Sequence, residues 1–283
     1  MTSYQSISDG RYDSIAAFLA DVDKPAKNKG NSANAQDFTH GDACWDSDDL
    51  GGGCNTGDDV RRLVLAGWPD GRKRVEDFLR SIYGELPPPI DTRRRMVRGD
   101  HGDTLDIHAV YRGHIDRAWT RAARRAVVAQ QHISVCVNAC CHGGEPDSVL
   151  LWRGTAAIAL ADRLTESGYA VRLFVGNGSS TTRTAGKGEK VRLRIMVKDF
   201  DSPLNLGAMT AAMLPGFMRS LMLAWKLVHA SAVLTRGIAA ADGESNDPGE
   251  IYFTHGVRDQ GSAKARVEKA IAELSAAEAL PAA

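Results

Sequence analysis

Apolar residues recur along this chain with two different periods, and the change of period divides it near residue 126. Before that point the spacing is helical. Tyr12, Ile15, Phe18 and Leu19 share one helical face, Val60, Leu63 and Val64 another, and Val75, Phe78, Leu79 and Ile82 a third. The second stripe stops at Trp68-Pro69 and the third at Leu86-Pro87-Pro88-Pro89, because proline has no amide hydrogen to continue the ladder. Between the first two stripes, KPAKNKGNSANAQDFTHGD follows neither period and reads as a loop. Within the arginine-rich stretch that follows, Asp106 caps a short turn, IHAVYR, that Gly113 ends.

From His132 onward, short β-branched runs alternate with helical stripes. HISVCV (132–137) suits a buried strand, Asp147 or Ser148 opens a helix that Gly168 closes, and Tyr169 to Val175 is the next strand. Strand, crossover helix and strand imply parallel pairing with a right-handed connection. GNGSSTTRTAGKGEK then reads as a connector. Val191 to Lys198 alternates apolar and arginine side chains, as an edge strand with one solvated face does, and an antiparallel direction is open to it. Leu204–Leu214 and Phe217–Val233 form two helices divided at Pro215, Glu250–Thr254 a further strand, and a Ser262-capped helix closes the chain on Val267, Ala270, Ile271 and Leu274. The expected architecture is α/β: a doubly wound, mainly parallel sheet over residues 127–283, preceded by a helical, loop-rich region over 1–126.

Composition narrows the function classes. With 283 residues, 43% hydrophobic, the chain has enough apolar material for a core, which excludes disorder throughout. Thirty-five basic residues balance thirty-five acidic ones, so there is no global field of the kind a sequence-independent nucleic-acid binder uses. Five cysteines, an odd count, behind the polar opening MTSYQSISDGRYD point to a reducing cytoplasm. The run from Leu204 to Val233 is broken by Pro215, Gly216, Arg219 and Lys226, so no membrane association is expected. Cys44 and Cys54 lack zinc-finger spacing, and the GKG at 186–188 lacks the flanking glycine and hydroxyl of a nucleotide loop.

The order strand, helix, two strands, helix pair, strand, helix resembles the von Willebrand factor A type of α/β domain. That fold carries Asp-x-Ser-x-Ser after its first strand, a later loop threonine, and an aspartate in Thr-Asp-Gly, which together hold one divalent cation. The corresponding places here read Asn138-Ala139-Cys140-Cys141-His142, Thr210 and Thr254-His255-Gly256, so the ion site is degenerate. The chain is also similar to a bacteriophage-encoded protein family through GWPDG (67–71), GDTLDIHAVYRG (102–113), LLWRGTAAIALADRLTESGYAVRL (150–173) and MLPGFMRSL (213–221). This resemblance implies a phage or mobile-element origin, in the infected cell or the virion, and supplies no catalytic residue.

Open α/β sheets place ligands beyond the carboxyl ends of their strands, so Asn138, Cys140, His142, Thr210 and His255 are the candidate ligand or partner-binding residues. Loss of the carboxylates disfavours magnesium. Cys140, His142 and His255 instead have the donor types of a zinc site, and Cys140 or Cys141 beside His142 the types of a thiolate and imidazolium pair. The alternative is that Cys136 and Cys140 are small core residues and the two histidines sit on solvated loops. The function expected is non-enzymatic binding or scaffolding of a protein partner at the sheet's carboxyl edge, with no cofactor. Two alternatives stand beside it: nucleic-acid association through Arg117, Arg121, Arg124 and Arg125 in the basic segment Arg93–Arg125, and a zinc-dependent hydrolase at Cys140, His142 and His255.

Overall fold

The computed structural model describes residues 7–40, 52–86, 96–99, 104–122, 131–140, 146–181, 189–229, 249–254 and 256–279. In chain order the elements are β1 (Ile7–Tyr12), α1 (Ile15–Val22), α2 (Ser32–His40), α3 (Gly57–Ala66), α4 (Pro69–Tyr83), β2 (Met96–Gly99), β3 (Thr104–Leu105), α5 (Ile107–Tyr111) and β4 (Trp119–Ala122). They continue with β5 (His132–Asn138), α6 (Asp147–Glu166), β6 (Ala170–Thr181), β7 (Glu189–Lys198), α7 (Leu206–Ala212), a π-helical turn Phe217–Met222 running into α8 (Leu223–His229), β8 (Ile251–Phe253) and α9 (Gln260–Ala279).

Five strands form one mixed sheet in the order β1-β7-β6-β5-β8, and β2, β4 and β3 form a second, antiparallel one. β5 pairs in parallel with β6 and with β8, β1 pairs in parallel with β7, and only β6 and β7 run antiparallel. On one face of the large sheet, Ile133, Val135 and Val137, with Val171, Leu173, Val175, Leu193 and Ile195, join a single cluster that also takes the apolar stripes of α1, α3, α4, α6, α7, α8 and α9. The other face carries a separate small cluster of Cys136, Phe174, Tyr252 and Met196, to which no described helix contributes. Among the described residues, helices therefore cover one face: the α/β class is as expected and the sheet is mixed, while the doubly wound arrangement, which needs helices on both faces, is not seen.

Several elements depart from the sequence expectation. β7 is an interior strand, because β1 pairs along it from Ile7↔Lys190 to Tyr12↔Ile195. Its arginine face is not simply solvated: Arg194 lies 2.9 Å from Glu250, and both side chains are buried. The expected connector after residue 175 is largely strand, since β6 and β7 pair out to Thr181↔Glu189, leaving residues 182–188 and the GKG motif outside the described residues. The patternless stretch after α1 contains α2, whose contact side has one large apolar residue: Phe38 and Ala35 pack on Leu227 and Val228, and the Asn31 amide just before the helix donates to the Leu227 carbonyl at 3.3 Å. Within the basic segment, residues 96–99, 104–105 and 119–122 form the β2-β4-β3 sheet, with α5 between β3 and β4. α9 is capped by Asp259, with Ser262 as its reciprocal partner: Ser262 N donates to Asp259 Oδ1 at 2.8 Å, and Asp259 N to Ser262 Oγ at 3.0 Å. The change of period near residue 126 is no break in the core, since Phe18, Val60 and Val75 lie in the same cluster as Val135.

Gly10 on β1 is demanded by a close approach. A Cβ there would stand 2.2 Å from the Trp225 ring on α8. Among the described residues no single helix is long and apolar enough to cross a membrane, and the apolar run from Leu206 to His229 is bent by 62°.

Candidate functional site

Topology singles out the crevice between β5 and β8. From β5 the chain crosses through α6 to β6 on one side, whereas it reaches β8 on the other side only after β7, α7 and α8. Such a reversal of strand order opens a gap outside the carboxyl ends of the two flanking strands. Val137 pairs with Phe253, so Asn138 and Thr254 leave the sheet side by side.

The tip of β5 is turned inward. Asn138 Oδ1 accepts from Cys140 N at 2.8 Å, closing the chain immediately after the strand, and Ala139 N continues the ladder to the Gly176 carbonyl. Both Asn138 and Cys140 are buried. The Cys140 thiol donates to Asn177 Oδ1 on β6, and Lys226 Nζ on α8 donates to the same oxygen at 3.0 Å. Burial pushes the Lys226 ammonium down to about 8, and the nearby Cys140 sulfur offsets only part of that.

Arg153 lies in the middle of α6, fully buried, and its guanidinium reaches up to the strand tips. Nη1 donates to the Asn138 carbonyl at 3.4 Å and to the Cys140 carbonyl, while Nε donates to the Val257 carbonyl at 3.2 Å. One planar cation thus ties the segment after β5 to the turn after β8. A guanidinium suits this task because its donors are fixed in a fork and it stays charged at any working pH.

This donor set does not fit a divalent cation. The Asn138 side-chain oxygen is spent on a backbone amide, and the carbonyls around it face a resident guanidinium with a buried ammonium nearby, which would repel a second cation. Thr210 is buried in α7, and its hydroxyl donates to the Leu206 carbonyl of its own helix at 2.7 Å. His142 and His255 lie outside the described residues, so only Cys140 of the three expected zinc ligands is placed. Among the described residues no three His, Cys, Asp or Glu side chains gather as a metal-holding group. Of the expected nucleic-acid residues, Arg117 is exposed at 3.6 Å from Asp116, Arg121 is on β4, and Arg124 and Arg125 lie outside the described residues.

Arg153 and Lys226 were not among the residues expected from sequence. The signal for both was available: each is a cation inside an apolar stretch of helix, LLWRGTAAIAL and LMLAWKLVH, as is the buried Arg219 seven residues before Lys226. A second polar network was also missed. Along the β1 edge of the sheet, Asp21 accepts from the Tyr12 hydroxyl, from Trp225 Nε1 at 3.1 Å, from His229 Nε2 at 2.5 Å and from Lys24 Nζ at 2.5 Å. Burial alone would raise the Asp21 carboxyl, but hydrogen bonds from Lys24 and Tyr12 and the attraction of His229 outweigh it and hold the carboxyl well below its usual range. This network fastens β1 and α1 to α8.

No curated protein and no solved structure matches the chain. The model of a family described as a domain of unknown function, DUF7192, matches residues 4–277, and the chain belongs to that family.

Proposed function

We propose that the protein is a non-enzymatic binding module of a phage or related mobile element, with a von Willebrand factor A-like core. In this reading it engages a protein partner at the carboxyl edge of its large sheet, in the host cytoplasm or in the virion. The observation that carries the reading is the Arg153 fork, which holds both sides of the crevice to one another without a metal ion. A cation supplied by the chain itself leaves the loops preorganised for contact and makes recognition independent of magnesium or calcium. The crevice also lacks an exposed nucleophile among its described residues, because the Cys140 thiol is buried and bonded to Asn177.

The test is capture from nuclease-treated extracts of the bacterial host on the immobilised full chain, with and without EDTA, followed by cross-linking of any captured protein. The reading predicts a partner that EDTA does not release and cross-links within a few residues of Asn138 or Thr254. Release by EDTA, cross-links confined to the opposite end of the sheet, or binding that needs intact nucleic acid and falls steeply with salt would each overturn it.

A further inference from the structure

Six large apolar side chains stand exposed among the described residues, and five of them fall between residues 105 and 115. Tyr111 is 84% exposed, Ile115 65% and Ile107 56%, with Leu105 and Val110 beside them in sequence. They belong to the small unit of β2, β3, β4, α5 and the turn Ile115–Arg117, whose substantial contacts are with one another. The unit buries Ala109 and Ala118, half-buries Trp119 and leaves these five apolar residues exposed. An apolar side chain stranded on so small a unit marks a surface that another molecule covers.

We propose that this face is the contact through which two copies of the chain pair about a two-fold axis. Area is the first argument. With about 150–250 Å² for the aromatic side chain and somewhat less for each aliphatic one, the exposed portions of the five come to roughly 500 Å² per copy, so a pairing that covers all five buries about 1,000 Å², the lower bound of a specific interface. Charge is the second. Arg98 lies 3.5 Å from Asp106, whose carboxylate also accepts from Ala109 N, and Arg117 lies 3.6 Å from Asp116. Both signs are thus present in this unit, which is what a self-complementary interface needs. The zero net charge of the chain adds no long-range repulsion between copies. An anionic membrane fits less well, because Asp116 is exposed beside Ile115, and a nucleic acid would find one aromatic ring among aliphatic side chains.

Sedimentation velocity of the full chain from about 1 to 100 µM tests the pairing. The wild type is expected to move to twice its 30.5 kDa mass within that range. Tyr111→Asp combined with Ile115→Asp should hold it at 30.5 kDa at concentrations at least tenfold above the wild-type midpoint, with an unchanged circular dichroism spectrum. Leu65→Asp, at the exposed apolar residue outside the patch, should leave pairing intact. If the double variant loses its fold, the single Tyr111→Ser variant is read in the same way. A wild type that stays monomeric throughout, or a dimer that survives the double variant, overturns the proposal. So does a monomer that sediments with vesicles containing about 30% phosphatidylserine, which would give the face to a membrane.

Discussion

Replacing Lys226 by methionine tests the energetic reading of the strand-tip network. The ammonium falls from its usual 10.5 to about 8 on burial, and at about 1.4 kcal/mol per pH unit this is a folding cost of about 3 kcal/mol at neutral pH. Methionine matches the lysine stem in shape and carries no charge. It forfeits the hydrogen bond to Asn177 Oδ1, a loss of about 1 kcal/mol, while the Cys140 thiol still serves that oxygen. Lys226→Met should therefore stabilise the protein at pH 7 by about 2 kcal/mol, a shift of roughly 0.7 M in the urea midpoint at a slope of about 3 kcal/mol per M. The pH dependence supplies the sign. Between about 8 and 10.5 the unfolded chain holds a proton at Lys226 that the folded chain has released, so wild-type stability gains from this group as pH rises through that window. Other groups titrate there too: Cys54, pushed up to about 11 mainly by burial, works in the opposite direction in both proteins. The difference between wild type and variant isolates Lys226, and it should shrink from about 2 kcal/mol at pH 7 towards or below zero at pH 10.5. Urea unfolding followed by tryptophan fluorescence at the two pH values reads it. A variant less stable than wild type at pH 7, or a difference that does not change with pH, refutes the argument.

Three further outcomes follow from the same geometry. Arg153→Met removes donors from the Asn138, Cys140 and Val257 carbonyls and should cost about 3 kcal/mol in urea unfolding, and a loss below about 1 kcal/mol would show the fork to be dispensable. Gly10→Ala drives a methyl group into the Trp225 ring and should lower stability by at least about 2 kcal/mol, with a changed tryptophan emission reporting the displaced indole. Asp21 is held below its unfolded value, so its stabilising share is complete above about pH 4 and disappears as pH falls further. Asp21→Asn should cost about 2 kcal/mol at pH 7 and flatten the acid limb of a stability profile, whereas parallel acid limbs would contradict that assignment.

The legible parts of the fold were those in which one signal dominated. HISVCV had to be a buried strand, Gly168 ended α6 with a φ of 89°, and the prolines at 69 and 87 bounded α4. β1 was hidden because ISDGRY has only two apolar residues, and its place is set by the partner strand and by the indole over Gly10. α2 was hidden because Phe38 is its one large apolar residue, and a single position sets no hydrophobic period. At the site, the sequence led to the right strand ends by a general rule about open sheets, yet it ranked donors by resemblance to an ion site. The groups that organise the tip are cations placed one helix away, and finding them requires asking what a charge in an apolar stripe is reaching for.

Residues 7–12 find their neighbours about 180 residues further along the chain, at 190–195. This strand therefore waits for its partner until that later segment has been synthesised. Its composition suits that delay: Asp9, Gly10 and Arg11 at the centre of the segment keep a waiting strand from pairing with its counterpart on another nascent chain.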